Sequence, residues 1–148
     1  MGPGPWTLYN DAKLNFFKKL MDLGGDTFKV ALVTSSSNGL VATLTPGTYG
    51  TLTGELTTAN GYTAGGATAG SPTLTGGGAT ATITWNTNDV SWTASGAGFT
   101  ARGAVMYDST AGDLIAFFLL DSTPADVTIA AGNTLTISIA SPKVFTAT

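Results

Sequence analysis

The sequence predicts a mainly β protein, an antiparallel β-sandwich with one short amphipathic helix near its N-terminus. Thr, Gly and Ala are abundant, apolar and hydroxyl side chains alternate along several segments, and a helical apolar period occurs in one place. A chain of 148 residues, 43% of them hydrophobic, is long enough for one core and short for two. We therefore expect a single sandwich domain at residues 9–148, preceded by an N-terminal arm at residues 1–8.

The N-terminal arm is rich in Gly and Pro. Its segment Gly2-Pro3-Gly4-Pro5 is a poor helix or central strand, because Pro lacks the amide donor and Gly adds chain entropy. The arm ends at Trp6, an aromatic anchor of the kind enriched at binding hot spots. We expect the arm to be flexible or extended, with Trp6 either seated on a neighbouring subunit or other partner protein or packed on its own domain.

One helix is predicted after the arm, beginning at Asn10 or Asp11, since either side chain can cap a first turn. Its apolar residues recur at helical spacing and lysines occupy the other face: Ala12, Phe16, Phe17, Leu20 and Met21 against Lys13, Lys18 and Lys19. The pair Gly24-Gly25 is the expected C-terminal stop. A helix this short must dock on something to persist in water.

The apolar period changes from 3.6 to 2 after the glycine pair, which predicts a strand at residues 27–34. Residues 35–78 are crowded with Ser, Thr, Gly and Pro and contain only weak strand candidates at 41–44 and 51–56. Long loop-rich segments of compact domains are often functional or lie in interfaces. Within this one, glycines on both sides should leave the ring of Tyr62 prominent.

The second half of the chain reads as a series of short strands separated by turns. Strands are predicted at residues 79–85, 90–93, 99–107 and 114–120, followed by a hairpin-like pair at 127–130 and 134–141 joined by Gly132-Asn133. The strand at 114–120 is apolar on both faces, which places it centrally. Strands at such regular spacing are typical of a sandwich, of which the jelly roll is one form.

Composition argues against most catalytic and nucleic-acid functions. The chain has no Cys and no His, so the usual thiolate, general base and zinc ligand are missing. Its net charge is -3 and only 10% of its residues are charged, which disfavours nucleic acid and anionic membranes as partners. No apolar run is long enough to cross a bilayer, and the N-terminus does not read as a secretory signal. We expect no enzyme, no cofactor and no bound metal.

Two pairs of aspartates flank short polar segments. Asp108 and Asp113 bracket a Ser-Thr-Ala-Gly segment, and Asp121 and Asp126 flank Pro124. Their oxygens could bind Ca²⁺, but the spacing lacks the acidic alternation of a calcium loop. Since Asp, Ser, Gly and Pro form turns in their own right, we interpret both segments as turns.

Three further side chains invite a functional interpretation. Arg102 is the only arginine and lies among small and apolar residues, so if it faces inward it needs a carboxylate, from its own chain or from another subunit. Trp85 and Trp92 could form a sugar-stacking platform. Trp85 falls on the inward, apolar face of its strand together with Ala79, Ala81 and Ile83, however, which favours the core.

Five segments, in this order, resemble a family of small virion structural proteins of tailed bacteriophages. They are LYNDAK at 8–13, DTFKVALVTS at 26–35, GYTAGG at 61–66, DVSW at 89–92 and FTARGAVMYD at 99–108. The combination spans nearly the whole chain. The Gly/Pro arm before Trp6 and the Ser/Thr/Gly insert at 35–50 depart from the family pattern, and they leave the place in the virion open.

The resemblance implies a head decoration or cement protein on the capsid surface of the virion, made in the host cytoplasm. Its partners would be the major capsid protein and further copies of itself in a homotrimer. Candidate interface residues are Trp6, Tyr9, Tyr62 and Arg102. The alternative is a tail or head-fibre component that binds protein or carbohydrate. A glycan-acting enzyme is the weakest alternative, because no suitable pair of carboxylates is visible.

Overall fold

A computed structural model describes residues 3–78, 80–139 and 145–147. Strands account for 39% of the chain and helix for 10%, and every strand pairing among the described residues is antiparallel. The predicted class, mainly β with antiparallel sheets and one short N-terminal helix, is confirmed. The elements are β1 (Thr7–Leu8), α1 (Asn10–Phe17), β2 (Phe28–Val33), β3 (Ala67–Ala69), β4 (Thr73–Gly77), β5 (Thr80–Asn86), β6 (Val90–Thr93), β7 (Phe99–Ala101), β8 (Gly103–Asp108), β9 (Leu114–Leu119), β10 (Val127–Ile129), β11 (Thr134–Ile137) and β12 (Phe145–Ala147).

The largest sheet has five strands in the order β1-β9-β8-β2-β3. All six residues of β8 are buried, as are five residues in each of β2 and β9. These segments are apolar at successive positions, as expected for strands covered on both faces. The strands predicted at 27–34 and 114–120 are therefore confirmed, and β8 lies between them in the middle of the sheet.

The strand register divides the side chains of this sheet between two faces, which are covered differently. On one face, Phe28 meets Trp85 of β5 edge-on, with ring centroids 4.9 Å apart. On the other, Phe117 packs against Tyr9, which directly precedes α1, at a centroid distance of 5.2 Å. Strands of the second half thus cover one face, and α1 with the following loops covers the other. The packing is sandwich-like, with both sides of the sheet in the core.

The described part of the N-terminal arm lies along β9 of its own chain. The amide of Gly4 donates to the carbonyl of Leu119 at 3.0 Å, and β1 continues the pairing with Thr7 opposite Phe117. Trp6 packs against Phe118 with ring centroids 4.6 Å apart. The arm is extended, and Trp6 packs on its own domain, which was the alternative to a neighbouring subunit. Pro3 and Pro5 are accommodated because β1 is an edge strand.

The helix is shorter than the sequence predicts. It spans Asn10–Phe17, Tyr9 is the N-cap residue without a side-chain cap bond, and Asp11 instead accepts from the amide of Gly47 at 2.9 Å. The predicted stop at Gly24-Gly25 is wrong. The chain leaves the helix at Lys19, which has a φ of 55°, and the amides of Lys19 and Leu20 donate to the carbonyls of Phe16 and Asn15. These two bonds form a Schellman motif with a lysine in the left-handed position.

The early termination of α1 changes which apolar residues are buried. Ala12 and Met21 are buried and Phe16 is half-buried, as expected, but Phe17 is 91% exposed and Leu20 is 55% exposed. The predicted apolar face is therefore wrong at these two positions. Phe17 lies about 140° around the helix from Ala12, and Leu20 follows the residue at which the backbone turns.

The loop-rich segment ends at residue 66 instead of residue 78. It contains two 3₁₀ turns, at Asn38–Leu40 and Tyr49–Thr51, and the weak strand candidates at 41–44 and 51–56 do not form strands. Glu55 makes only an isolated bridge to Val33. β3 and β4 lie in what was predicted to be loop. β3 continues the main sheet beside β2, and β4 pairs with β5.

The predicted hairpin between 127–130 and 134–141 is wrong. β10 pairs with β7, and β11 pairs with β6, so the two segments lie end to end along one antiparallel ribbon. Between the two halves, the amide of Ala94 donates to the carbonyl of Asn133 and the amide of Gly132 donates to the carbonyl of Ala94, each at 2.8 Å. Apolar partners such as Trp92 and Leu135 stand opposite one another in this arrangement. Residues 140–141 of the prediction lie outside the described residues.

The third sheet has the order β12-β5-β4. Trp85 is fully buried, which confirms its prediction as a core residue, and its indole nitrogen donates to the carbonyl of Leu23 at 2.8 Å. Ile83, predicted on the same inward face, is instead 41% exposed, and the first four residues of the neighbouring β4 are exposed as well. The other two predicted inward side chains, at 79 and 81, lie outside what the structure describes.

Candidate interaction surfaces

Tyr62 is an internal anchor of the long loop. Its side chain is 2% exposed, so the prediction of a prominent surface ring is wrong. The amides of Ala59 and Tyr62 donate to one another's carbonyls at 3.0 Å, which turns the phenol inward. Its hydroxyl donates to Oε1 of Glu55 at 2.7 Å and accepts from the amide of Leu32 at 3.1 Å. The flanking glycines permit the tight turn that buries the ring.

Glu55, the only glutamate of the chain, gathers a polar network around this anchor. Its Oε1 also accepts from the amide of Gly65 at 2.6 Å, and its Oε2 accepts from the hydroxyl of Tyr49 at 2.5 Å. Tyr49 stacks on Tyr107 of β8, with centroids 4.2 Å apart and an interplanar angle of 11°. Sequence analysis missed Glu55. The signal that could have identified it is its position as the one charged residue of the 35–78 segment.

Each tyrosine hydroxyl of this network donates a hydrogen bond and keeps its proton. Burial raises the pKa of Tyr62 and of Tyr49 well above the usual value, and the Glu55 carboxylate raises both further. Burial and Glu55 also raise the pKa of Tyr107, whose hydroxyl donates to the carbonyl of Gly65 at 2.8 Å. Each phenol therefore stays protonated at neutral pH. The arrangement fastens the loop to the sheet.

Tyr9, another predicted interface residue, is also buried. It is fully enclosed, and its hydroxyl donates to the carbonyl of Gly39. Burial raises its pKa well above the ordinary range. Tyr9 and Tyr62 are thus too deeply buried for their side chains to contact a partner. Their phenols instead hold α1 and the loop on the sheet.

Arg102 lies between β7 of the ribbon and β8 of the main sheet. Its amide donates to the carbonyl of Val33 at 2.8 Å, and its carbonyl accepts from the amide of Leu120 at 3.1 Å. Its Nε donates to Oδ1 of Asp126 at 2.7 Å, with the two side chains 23% and 45% exposed. The carboxylate that the arginine needs is therefore supplied by the same chain. Arg102 remains accessible at the surface.

The segment between Asp108 and Asp113 is a turn, as predicted. Oδ1 of Asp108 accepts from the amides of Thr110 and Ala111 at 2.7 and 3.2 Å. The side chain is buried, and its Oδ2 has no hydrogen-bond partner. Burial, with a smaller contribution from the neighbouring Asp26 carboxyl, raises the pKa of Asp108. Within the described ranges, no group of three or more acidic residues is arranged to hold a metal ion.

The segment at 121–126 also forms a turn. Oδ1 of Asp121 accepts from both the amide and the hydroxyl of Thr123, at 2.9 and 2.6 Å, and these bonds lower the pKa of Asp121. Asp126 points instead to Arg102. The two carboxylates have separate structural tasks, and neither is directed at a common ligand.

None of the three tryptophans forms an open stacking platform. Trp85 and Trp92 are buried, and Trp6 is half-buried against Phe118. Trp6 borders an apolar cavity of about 270 Å³ between the arm and the ribbon, with Leu120, Leu135 and Ile137 on its other walls. A cavity of this size is at the small end for organic ligands, and its polar groups are few.

The most exposed large apolar side chain among the described residues, Phe17, is on the helix. Leu14 is 51% exposed and Phe17 is 91% exposed, and Lys13 and Lys18, also exposed, lie beside them. We refer to Lys13, Leu14, Phe17 and Lys18 as the outer face of α1. Sequence analysis assigned Phe17 to the buried side and so missed this surface.

Comparisons of the chain with protein-family models, with curated proteins and with solved structures find no match. Nor does any helix in the described part of the chain have the length and apolar character needed to span a membrane.

Proposed function

We propose that this chain is a structural protein of a tailed-bacteriophage virion, a decoration or cement protein that binds the outer surface of the capsid at junctions of the major capsid protein. The observation that carries the proposal is the ordered set of five segments that resemble this family. Their residues include Tyr9, Tyr62 and Tyr107, which form the internal framework of the fold. The resemblance thus falls on residues that define the architecture.

The character of the molecule supports a structural role. Polar side chains hold its parts together, as in the Glu55 network and the Arg102–Asp126 pair. An antiparallel body with both sheet faces covered resists local opening, because exchange and unfolding begin where buried contacts are few. Such a body adds stability to a shell by adding buried interface. A closed homotrimer over a local three-fold axis suits the symmetry of capsid junctions.

The fibre alternative with a carbohydrate-binding role has less support. Sugar stacking requires an exposed aromatic platform, whereas Trp85 and Trp92 are core residues. A protein-binding tail or fibre component remains the competing proposal.

Copy number in purified particles tests the proposal. A decoration protein is expected in hundreds of copies per virion and on the head in particle reconstructions, and its removal should lower the temperature at which heads release their DNA. A few copies per particle, located on the tail or fibres, would contradict the proposal and favour the alternative. Absence of the chain from purified virions would exclude both.

A further inference from the structure

The outer face of α1 is an apolar surface without an internal partner. Phe17 exposes nearly its whole ring and Leu14 half of its side chain, although apolar side chains of this size are usually buried. At about 100° per residue, residues three apart lie on the same side of a helix. Leu14 and Phe17 therefore project together, away from Ala12 and Phe16, which face the sheet.

Lysines flank these two side chains, and the one carboxylate of α1, Asp11, accepts instead from the amide of Gly47. Lys13 and Lys18 flank Leu14 and Phe17 around the helix, and Lys19 follows in the C-terminal turn, so three of the chain's six basic residues lie within one short segment. Among the described residues, none of the three forms an ion pair. The rest of the chain has nine acidic and three basic residues, so it is acidic. The face is thus locally cationic on an acidic protein, and its complement is apolar with carboxylates around it.

A second copy of this chain fits that complement less well. The two best-formed cavities among the described residues, both beside the arm, have no carboxylate on their walls. Asp126 is paired with Arg102, and Asp108 is buried. An anionic membrane is also a poor fit, because lipid-binding clusters contain about four to eight basic residues and the acidic remainder would be repelled.

We propose that the outer face of α1 docks into an apolar pocket rimmed by Asp and Glu on the major capsid protein, with Phe17 as the central anchor. This inference rests on the proposed function and assigns its contact surface. Phe17 and Leu14 supply the contact area. Lys13 and Lys18 orient the helix on its partner and disfavour partners without carboxylates.

The test measures binding of the full chain to purified capsids that lack it, by co-sedimentation over a concentration series. The apolar variant is Leu14→Ser/Phe17→Ser, and its control is Leu74→Ser/Ile83→Ser, which changes two other exposed apolar residues, 52% and 41% exposed. The apolar variant should bind at least about tenfold more weakly, as expected for loss of a central anchor. The control should stay within about twofold of the parent, since it lies outside the contact.

The charge variant is Lys13→Gln/Lys18→Gln, and its control is Ser35→Glu/Thr57→Glu, which shifts the net charge equally at other exposed positions. The charge variant should weaken binding by about three- to tenfold at low salt and match the parent near 0.5 M NaCl, where charges are screened. The changed residues are exposed, so equal melting temperatures should verify folding.

The outcomes separate the two proposals. If the parent binds capsids and both α1 variants bind equally well, the assignment of this face is wrong and the capsid function stands. If the parent binds no capsids, both proposals fail. If it binds phosphatidylglycerol vesicles instead, or if the α1 variants alone change the sedimentation coefficient of the free protein, the partner is lipid or a second copy, and the assignment to the capsid is overturned.

Discussion

The Glu55 carboxylate accepts hydrogen bonds from two tyrosine hydroxyls and from the amide of Gly65. Each of these donors belongs to a different part of the 49–65 segment, and Tyr62 in turn bonds to the backbone of β2. One side chain thus fixes the path of a long loop that has little regular structure. Charged acceptors form stronger hydrogen bonds than neutral ones, so the network is expected to be sensitive to loss of this group.

Replacing Glu55 by Ala should lower the free energy of unfolding by about 2–4 kcal/mol, because two phenols and an amide lose their acceptor in a partly buried place. Urea denaturation followed by tryptophan fluorescence measures the change. Asp126→Ala is the matched control, since it removes one exposed ion pair and should cost less than about 1 kcal/mol. Similar costs for the two variants would show that the Glu55 network does not hold the loop.

The raised pKa values of the tyrosines predict that the protein loses stability at high pH. A tyrosine whose pKa is raised on folding contributes stability that is fully present below its unfolded value of 10.0 and is lost as the pH rises through the folded value. The pKa of each of the four tyrosines is raised, so absorbance at 295 nm should show little ionisation in the native state near pH 10. Ionisation should instead accompany cooperative unfolding at higher pH. Four phenols titrating near pH 10 with unchanged circular dichroism would contradict this.

Removing the charge of Asp108 is expected to stabilise the fold at neutral pH. Its pKa is raised on folding, so its contribution is present below the unfolded value of 3.8 and is lost as the pH rises through the folded value. Asp108→Asn keeps an acceptor for Thr110 and Ala111 and replaces the unpartnered Oδ2 by an uncharged amide donor beside the Asp26 carboxyl. At pH 7 the variant should be more stable than the parent by about 1 kcal/mol. The difference should vanish near pH 3; a variant less stable at pH 7 would refute the assignment.

The helix α1 illustrates how a backbone turn overrides a side-chain period. The apolar spacing continues to Met21, but the Schellman bonds from Lys19 and Leu20 end the helix first. Its N-terminal end is held by contacts outside the helix, through Asp11 to Gly47 and the amide of Asn10 to Ala42. A short helix secured in this way can leave Leu14 and Phe17 exposed, because tertiary contacts at its ends supply the stability that a longer buried face would provide.

Lys19→Gly should stabilise the protein by about 0.5–1 kcal/mol, because glycine adopts the left-handed conformation without the steric cost of a Cβ. Thermal denaturation at fixed pH measures the effect. Gly24→Ala tests the competing prediction that the helix ends at the glycine pair. Gly24 does not have a positive φ, and an added Cβ would come no closer than 3.6 Å to Asp22, so this change should be nearly neutral. The opposite ranking would place the helix end at Gly24.

The molecule as a whole is assembled from contacts between distant parts of the chain. β1 pairs with β9, β2 with β8, and β6 with β11, and Arg102 bridges β2 and the end of β9 through its backbone. No cysteine is available to link these parts. Stability therefore rests on the shared core, in which Trp85 and Trp92 join the ribbon and the third sheet to the main sheet.

This topology predicts slow folding. Pairings between distant strands require loop closure before they are stabilised, so refolding should take about milliseconds to seconds, as in other all-β domains. Stopped-flow fluorescence of the buried tryptophans after dilution from urea measures it. Refolding within microseconds would mean that local contacts dominate, contrary to the strand pairings.

Local patterns were sufficient for the fold class, the single helix, the strands β2, β6 and β9, the burial of Trp85 and the turn after Asp108. Each of these depends on the alternation of side chains or on turn chemistry between neighbours in the chain. The partners of β10 and β11, the inward turn of Tyr62, the role of Glu55 and the exposure of Phe17 could not be predicted in this way. They depend on where distant segments dock, because pairing and burial are properties of the folded surface that a residue meets, and a periodic pattern does not specify that surface.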